Sequence, residues 1–499
     1  MSNIKSEGGE TMAGMNVERN IFNHLMEVMD RLEKVERESK EQHQADQERI
    51  RELEKKVAEQ TQTIERLNNE IDRLKHKDDK DSHNSSLPPS SDQRPTKKAP
   101  NEYNSRQKSG KKSGGQAGHK GRTLILQDTL KKLEELDVIP EIEEIGDPSM
   151  PYKERLILDV SCSVHATLKR FHEDEDGRIH IPYEYRSEVT YGDRTKSLVA
   201  LLYGQGVESA ERIVEIIRAI TNQGITLSQG SVFNWLEELF SASARECEGI
   251  EKRLLDQKQV CTDATNITVD GKQTYVRNFS SANDVLYVPM EKKDLVTLGK
   301  IPFLQKFVGI LVHDHETALF HFGQNHAECN VHMIRYLTAN TENTGHKWSS
   351  NMISLLREMN QYRKRLITQG QSHIPPETLL RLEMRYDALL EQAQDERKQR
   401  PSRFRWAMKD EKTLLNRLKK YKVNHLLFLR DFDIPFDNNM SERDLRKCKN
   451  RQKMAGGFRT NRGKQIFCAI LSITETCKRR GMNLMDAFLR IFSNQPLFA

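Results

Sequence analysis

The chain has 499 residues, 30% of them charged and 36% hydrophobic, with a formal net charge of +6. That length suits about three domains of ~100–200 residues, and the charged fraction suits long exposed helices rather than one compact core. No run of about 20 apolar residues occurs, which argues against a membrane span, and the start, MSNIKSEGGETM, lacks the apolar stretch of a signal peptide.

The seven cysteines are odd in number and form no C-x-x-C pair, so a disulfide framework is not expected and a reducing cytosol is the natural compartment. The distribution of charge matters more than its sum. Nine Lys/Arg lie between Asn84 and Arg122, among them Lys111, Lys112, Lys120 and Arg122, against Asp92 and Glu102. Nine more lie between Arg443 and Lys464, against Asp444 alone. Two basic clusters on a near-neutral chain suggest a polyanionic partner; two solvated surface stretches are the alternative.

Residues 17–78 read as a coiled coil. Ile50, Leu53, Val57, Gln60, Ile64, Leu67, Ile71 and Leu74 alternate steps of three and four, the spacing of an a/d seam. Leu25, Val28, Leu32 and Val35 follow the same rhythm four residues out of frame, a stutter that locally unwinds a supercoil. Such a stripe implies self-association, with packing on another domain of the same chain as the alternative. Residues 79–122, rich in Pro, Gly, Ser and Lys, read as a basic disordered linker.

Residues 123–187 are expected to form a small β-rich unit. Cys162 and His165 have ligand-like spacing, but no second pair with convincing spacing follows, so no zinc site is expected there. Residues 188–250 read as helical. Ile213, Ile216, Ile217 and Ile220 share a face, and Ser228 caps a helix carrying Val232, Trp235, Leu236 and Leu239. Helix, Gly-containing turn, helix is the outline of a helix-turn-helix, and equally of a structural helical subdomain.

From residue 258 the pattern changes to strands. QVCTDATNITV, QTYVRNFSS and DVLYVPM suggest an antiparallel meander. A helical stretch at about 294–305 follows, and then the apolar strand KFVGILVHD. Residues 251–480 are thus expected to form a ribonuclease-H-like catalytic domain with a helical insertion at about 327–430, and residues 481–499 a tail helix. The fold class is multidomain α+β.

In that arrangement Asp263 lies on the first strand and Asp314 at the end of the fourth, 51 positions on, and Glu442 follows 128 positions later on a helix. Three carboxylates suit hard divalent cations such as Mg²⁺, and two ions ~3.5–4 Å apart stabilise both the attacking and the leaving oxygen of a phosphodiester. Surface acids and helix caps are the bland reading of the same triple. Arg443 and Arg446 follow Glu442 closely enough to hold a phosphate, and Lys453, Arg459 and Arg462 flank Gly456 and Gly457, where backbone can approach DNA.

The sequence resembles the insertion sequence 66 family of DDE transposases from bacterial mobile elements. The resemblance rests, in chain order, on NSSLPPSSD, GGQAGHKGRTL, GITLSQGSVFNWLEEL, TDAT, LVHD, AECNVHMIRYL, DNNMSERDLRK and KMAGGFRTNRG. It implies that Asp263, Asp314 and Glu442 are the catalytic and metal-binding triad, with two Mg²⁺ or Mn²⁺ as cofactors. The substrate it implies is double-stranded DNA, at terminal inverted repeats and at the target, and the setting the nucleoid of a bacterial cytoplasm. Small accessory proteins of the same element are implied partners. Cys329 and His332 match a C-x-x-H pattern of such transposases; with His326 they raise the idea of a metal site, though packing is the simpler role. The cysteine-rich zinc finger of many members is reduced here to Cys162, which puts zinc-dependent recognition in doubt. A catalytically inactive descendant that only binds DNA is the alternative to an active enzyme.

Overall fold

The computed structural model describes residues 10–78 and 125–498, apart from 146, 148, 149, 151, 152, 207, 400, 401 and 403. The chain opens with a single helix, α1 (Glu10–Asp78). After α2 (Leu126–Glu134) the segment to residue 187 differs from the expected β-rich unit. Among its described residues the only pairing is an isolated bridge between Glu173 and Ile179. Many of its apolar residues face outward: Ile139, Ile142, Ile145 and Ile157 are 86–90% exposed. They are spaced among acids and prolines, so no two stretches can share a buried face.

Five strands form one mixed sheet: β1 (Gln259–Val269), β2 (Lys272–Ser280), β3 (Val285–Met290), β4 (Ile310–His313) and β5 (Asn325–Glu328), in the order β3-β2-β1-β4-β5. The first three are an antiparallel meander, while β4 and β5 run parallel to β1. The meander and β4 lie where alternation and apolar runs put them. The fifth strand was not anticipated, because NHAE carries no β-branched or aromatic residue; it is an edge strand, and the helical insertion begins after it.

Each face of the sheet has its own core. On one side Val260, Ala264 and Leu311 pack with helices α3 (Asp193–Leu201), α4 (Ala210–Ile220), α5 (Gln229–Ala242) and α6 (Ala244–Leu255). Ser228 caps α5 as expected, its side chain accepting from Ser231 N–H. The segments read as separate units at 188–250 and 481–499 therefore share one core with the sheet.

On the other side Cys261, Val312 and Ala327 pack with the insertion, α9 (Asn330–Thr344), α10 (Lys347–Thr368), α11 (Pro376–Gln399), α12 (Arg405–Lys420) and α13 (Lys422–Arg430). The meander leads to β4 through two short helices, α7 (Leu295–Leu298) and α8 (Pro302–Lys306). A buried acid organises the insertion. Glu411 accepts hydrogen bonds from His346 Nδ1 (2.6 Å), Trp348 Nε1 (2.7 Å) and Asn340 Nδ2 (3.2 Å).

The chain returns through α14 (Asn439–Asp444), α15 (Arg446–Ala455), α16 (Asn461–Arg479) and α17 (Leu484–Phe492). Between α15 and α16 the glycine turn lies along β1. Phe458 N–H donates to Thr268 O, and Asp270 N–H to Phe458 O, each at 2.8 Å. Gly457 has φ +117°, and a Cβ there would strike the Thr268 carbonyl. This glycine is thus committed to packing on β1.

Two stability predictions follow from these contacts. Gly457→Ala meets both a left-handed backbone and a filled site, and is expected to cost about 2 kcal/mol in urea unfolding. Glu411→Ala strands three buried donors and is expected to cost about 3–5 kcal/mol by the same measurement.

Candidate active site

Strands β1 and β4 pair in parallel with Gln259 opposite Ile310, Val260 opposite Leu311 and Cys261 opposite Val312. Continuing that register by two residues sets Asp263 level with Asp314, the residue after β4. Side chains alternate along a strand, so Asp263 shares the face of Cys261 and Asp314 that of Val312. Both belong to the side covered by the insertion.

The closeness of the two acids shows in their electrostatics. Burial, and then the negative charge of Asp314, push the Asp263 carboxyl up to about 6. The Ala264 N–H, 2.7 Å from Asp263 Oδ1, and the cations Lys293 and Arg277 oppose that rise.

The turn after Asp314 is pinned from both flanks. His315 has φ +71°, an uncommon conformation for a side-chain-bearing residue. Its Nδ1 lies 2.8 Å from Glu328 Oε1 on β5. Glu316 receives both its hydrogen bonds, each 2.6 Å, from Arg277 Nη2 on β2, and buried Arg277 also donates to Thr262 Oγ1. Glu328 in turn accepts from Arg417 on α12 at 2.6 Å. Burial raises the Glu328 carboxyl, but the His315 hydrogen bond and the charges of His425 and Arg417 prevail and hold it at about 2. Sequence reading singled out neither pair; the adjacency of Asp314, His315 and Glu316 was its only trace.

Glu442 sits on α14, a six-residue helix too short to hold itself. Asn278 on β2 fixes it. Its Oδ1 accepts from Asp263 N–H (3.2 Å) and from Ser441 Oγ (2.6 Å), while its Nδ2 donates to Ser441 O (3.2 Å) and Ser280 Oγ (3.0 Å). Asp444 adds a second tie, accepting from Ser280 Oγ at 2.6 Å and from Arg479 Nη2 at 2.5 Å. One buried amide therefore joins the backbone of the first acid to the neighbour of the third.

Glu442 Oε1 is buried without a hydrogen bond and lies 3.6 Å from His332 Nδ1 on α9. Burial lowers the His332 pKa, against the charges of Asp314 and Glu442, so this imidazole senses both acids. The donor atoms of Cys329, His332 and Glu442 lie within 4.8 Å of one another. Cys329 Sγ already accepts the Asn438 N–H at 3.2 Å, and burial pushes its thiol up to about 11, so it is a protonated packing group at neutral pH. His326 is not part of this trio; its Nδ1 lies 3.2 Å from His313 Nε2.

The basic residues divide into three groups. Lys111, Lys112, Lys120 and Arg122 lie outside the described residues. Arg443, Arg446, Lys453 and Arg459 are exposed and free of ion pairs among the described residues. Arg459 lines a cleft with Lys272 and Lys292 at the β1–β2 turn. Arg462 is instead engaged by Glu237 of α5 and lies over the Phe240 ring at 4.2 Å. The second helix of the expected helix-turn-helix carries Glu237 and Glu238 but no Lys or Arg, a poor face for a polyanion.

The donor set fits hard divalent cations. Asp263, Asp314 and Glu442 offer only oxygen, two of them at repelling distance, and the third has an oxygen with no hydrogen bond. Residues held for a cation have these properties.

A pH effect follows. The folded-state pKa of Asp263 is raised, so its charge opposes folding once pH exceeds the unfolded value near 4, and the full penalty is reached above about 6. In chelator, Asp263→Asn is expected to raise the thermal midpoint by a few degrees at pH 7–8, and the gain should shrink toward zero as pH falls to 4. Melts across that range check it.

A family model described as "Family of unknown function (DUF6444)" matches residues 38–124. No curated protein matches the chain. The model of the Transposase IS66 family matches residues 195–466, more than half of the sequence and all five strands. The chain belongs to the Transposase IS66 family.

Proposed function

We propose that the protein is a metal-dependent DNA transposase that cuts at terminal inverted repeats and joins the freed 3′-hydroxyl to target DNA, with Asp263, Asp314 and Glu442 as its acids. The observation that carries this reading is the β1–β4 register, which brings two distant aspartates level on one face, with Glu442 tethered to the same strand through Asn278. The order β3-β2-β1-β4-β5, with only β2 antiparallel to its neighbours, supports a ribonuclease-H-like catalytic domain.

In this reading the three carboxylates hold two Mg²⁺ or Mn²⁺ ions. Such ions, when bound, activate a water or a 3′-hydroxyl and stabilise charge on the attacking and leaving oxygens. The protein's own part is placement. Asn278 and the Asp444–Arg479 pair fix Glu442, and the Glu316–Arg277 and His315–Glu328 pairs fix the turn behind Asp314. His332 orients Glu442. Exposed Arg443 and Arg446 hold the phosphate being cut, while Lys453 and Arg459, with the basic stretch containing Lys111, Lys112, Lys120 and Arg122, track the DNA backbone. Small proteins of the same element and a nucleoid setting complete the proposal. An inactive DNA-binding descendant is the competing reading.

The test uses duplexes carrying the DNA ends that flank the coding sequence, with Mg²⁺ or Mn²⁺. Asp263→Asn, Asp314→Asn and Glu442→Gln should each lower cleavage and joining by about 10³-fold or more, while binding changes little. Binding itself should weaken steeply as salt rises. Joined product from any of the three at the parental rate sinks the assignment, and parental protein that binds ends but never cuts them favours the inactive reading.

A further inference from the structure

The long helix α1 contributes none of these acids. Along residues 49–75 of α1 the residues Ile50, Leu53, Val57, Ile64, Leu67, Ile71 and Leu74 are each 47–59% exposed. The helix does touch its own chain. Glu65 Oε2 accepts from Arg405 Nη1 at 2.8 Å, and Arg73 lies 3.8 Å from Asp410, both partners on α12. In the heptad that begins with Ile50 at a, Glu65 is a b position and Arg73 a c position, on the side away from the a/d seam. The intramolecular contact therefore uses the outer face and leaves the apolar seam uncovered.

We propose that residues 49–75 pair with the same segment of a second copy of this chain as a parallel, in-register, two-stranded coiled coil. Three observations set the number, the direction and the register. First, every a position is β-branched (Ile50, Val57, Ile64, Ile71), and the apolar d positions are all leucine (Leu53, Leu67, Leu74). That division favours two strands over three or four in parallel assemblies.

Second, the residues flanking the seam are complementary in the parallel direction. A g residue meets the e residue five positions later on the partner helix. Arg49 then faces Glu54, and Glu70 faces Lys75, while Lys56 meets Thr61 and Thr63 meets Asn68. Two pairs attract and none repels. An antiparallel pairing with Ile50 opposite Leu74 exchanges both for a single kind of attraction, Lys56 against Glu70.

Third, Gln60 interrupts the d row and is exposed. In register, two Gln60 amides face each other, and each offers a donor and an acceptor to the other. In the antiparallel pairing Gln60 would lie against Ile64 and lose its partner on burial. A polar residue in the seam that is satisfied in a single alignment fixes that alignment.

Four heptads, about 40 Å of helix at 1.5 Å per residue, reach the length at which such pairing is stable. Upstream, Leu25 and Leu32 hold a positions while Val28 and Val35 hold d, and Phe22 and Met29 broaden the exposed band. The order of branching is reversed there, so the direction is argued from residues 49–75 alone. The inference is independent of the chemistry at the acids, and each can fail without the other.

The experiment uses the full chain without DNA at about 0.1 M salt, where charge pairs at a surface are only partly screened. Light scattering should give twice the 57.9 kDa of the single chain. Under mild oxidation Gln60→Cys should cross-link into a dimer well beyond the parental protein, whereas Glu59→Cys, one position off the seam, should not. Glu70→Lys should raise the dimer dissociation constant about tenfold, and adding Lys75→Glu to the same chain should restore it to within about threefold. A single-chain mass, or a mass of three or four chains, overturns the proposal. So does a dimer in which Gln60→Cys cross-links no better than Glu59→Cys, or in which Lys75→Glu brings no recovery.

Discussion

The site depends on one buried amide. Asn278 is fully enclosed, and its four hydrogen bonds reach β1 at Asp263, α14 at Ser441 and its own strand at Ser280. An intramolecular hydrogen bond contributes only about 1 kcal/mol net, but a buried partner left unsatisfied costs about 1–3 kcal/mol. The arrangement is therefore nearly all-or-none. Either the meander and the returning chain meet at this side chain, or several polar groups are stranded together. That cooperativity lets a helix of six residues hold a carboxylate in a fixed place.

Around this clamp the local problem is like charge. Two aspartates at one level of a sheet repel, and the protein meets that repulsion in two ways. It leaves Asp263 with a raised carboxyl, and it surrounds the turn after Asp314 with satisfied opposite charges: Arg277 on Glu316, His315 and Arg417 on Glu328. The flanking acids have ion-pair partners, while Asp263 and Asp314 have none among the described residues. Unpaired acids beside paired ones are what a site for positive charge requires, since any internal cation would compete with the one to be bound.

The strands that carry Asp263 and Asp314 were legible because their signal is local. QVCTDATNITV has β-branched residues and turn residues at its end, and KFVGILVH holds the apolar run ILV of β4, a strand buried on both faces. The cap at Ser228 was legible for the same reason. β5 was not, because Ala327 and Glu328 earn their places through partners remote in sequence: Val312 beside one, Arg417 and His425 around the other. Asn278, Arg277 and Glu316 were hidden for the same cause. Nothing near them in the chain distinguishes them from surface polar residues, and only the folded register gives them work. Asp263 and Asp314 could be picked out by their places on the first and fourth expected strands, and the resemblance pointed at the motifs of all three acids. In the opposite direction, the β-rich unit expected between 123 and 187 does not form: Ile142, Ile157 and Val160 stand isolated and exposed, and branched residues do not make a sheet without a second buried face.

The insertion leaves the sheet after Cys329 and comes back beside it, Asn330 N–H donating to Phe436 O at 3.0 Å. Such adjoining ends usually mark a module that can be cut out and replaced by a short loop. Here that surgery would misfire. Glu328, which stays behind on the sheet, draws Arg417 and His425 from the excised part. The stump would keep an enclosed anion whose remaining companion, among the described residues, is the imidazole next to Asp314. The hundred-residue excursion is thus a structural counterion for the strand it departs from, and a minimal version of this domain would have to supply that positive charge from elsewhere.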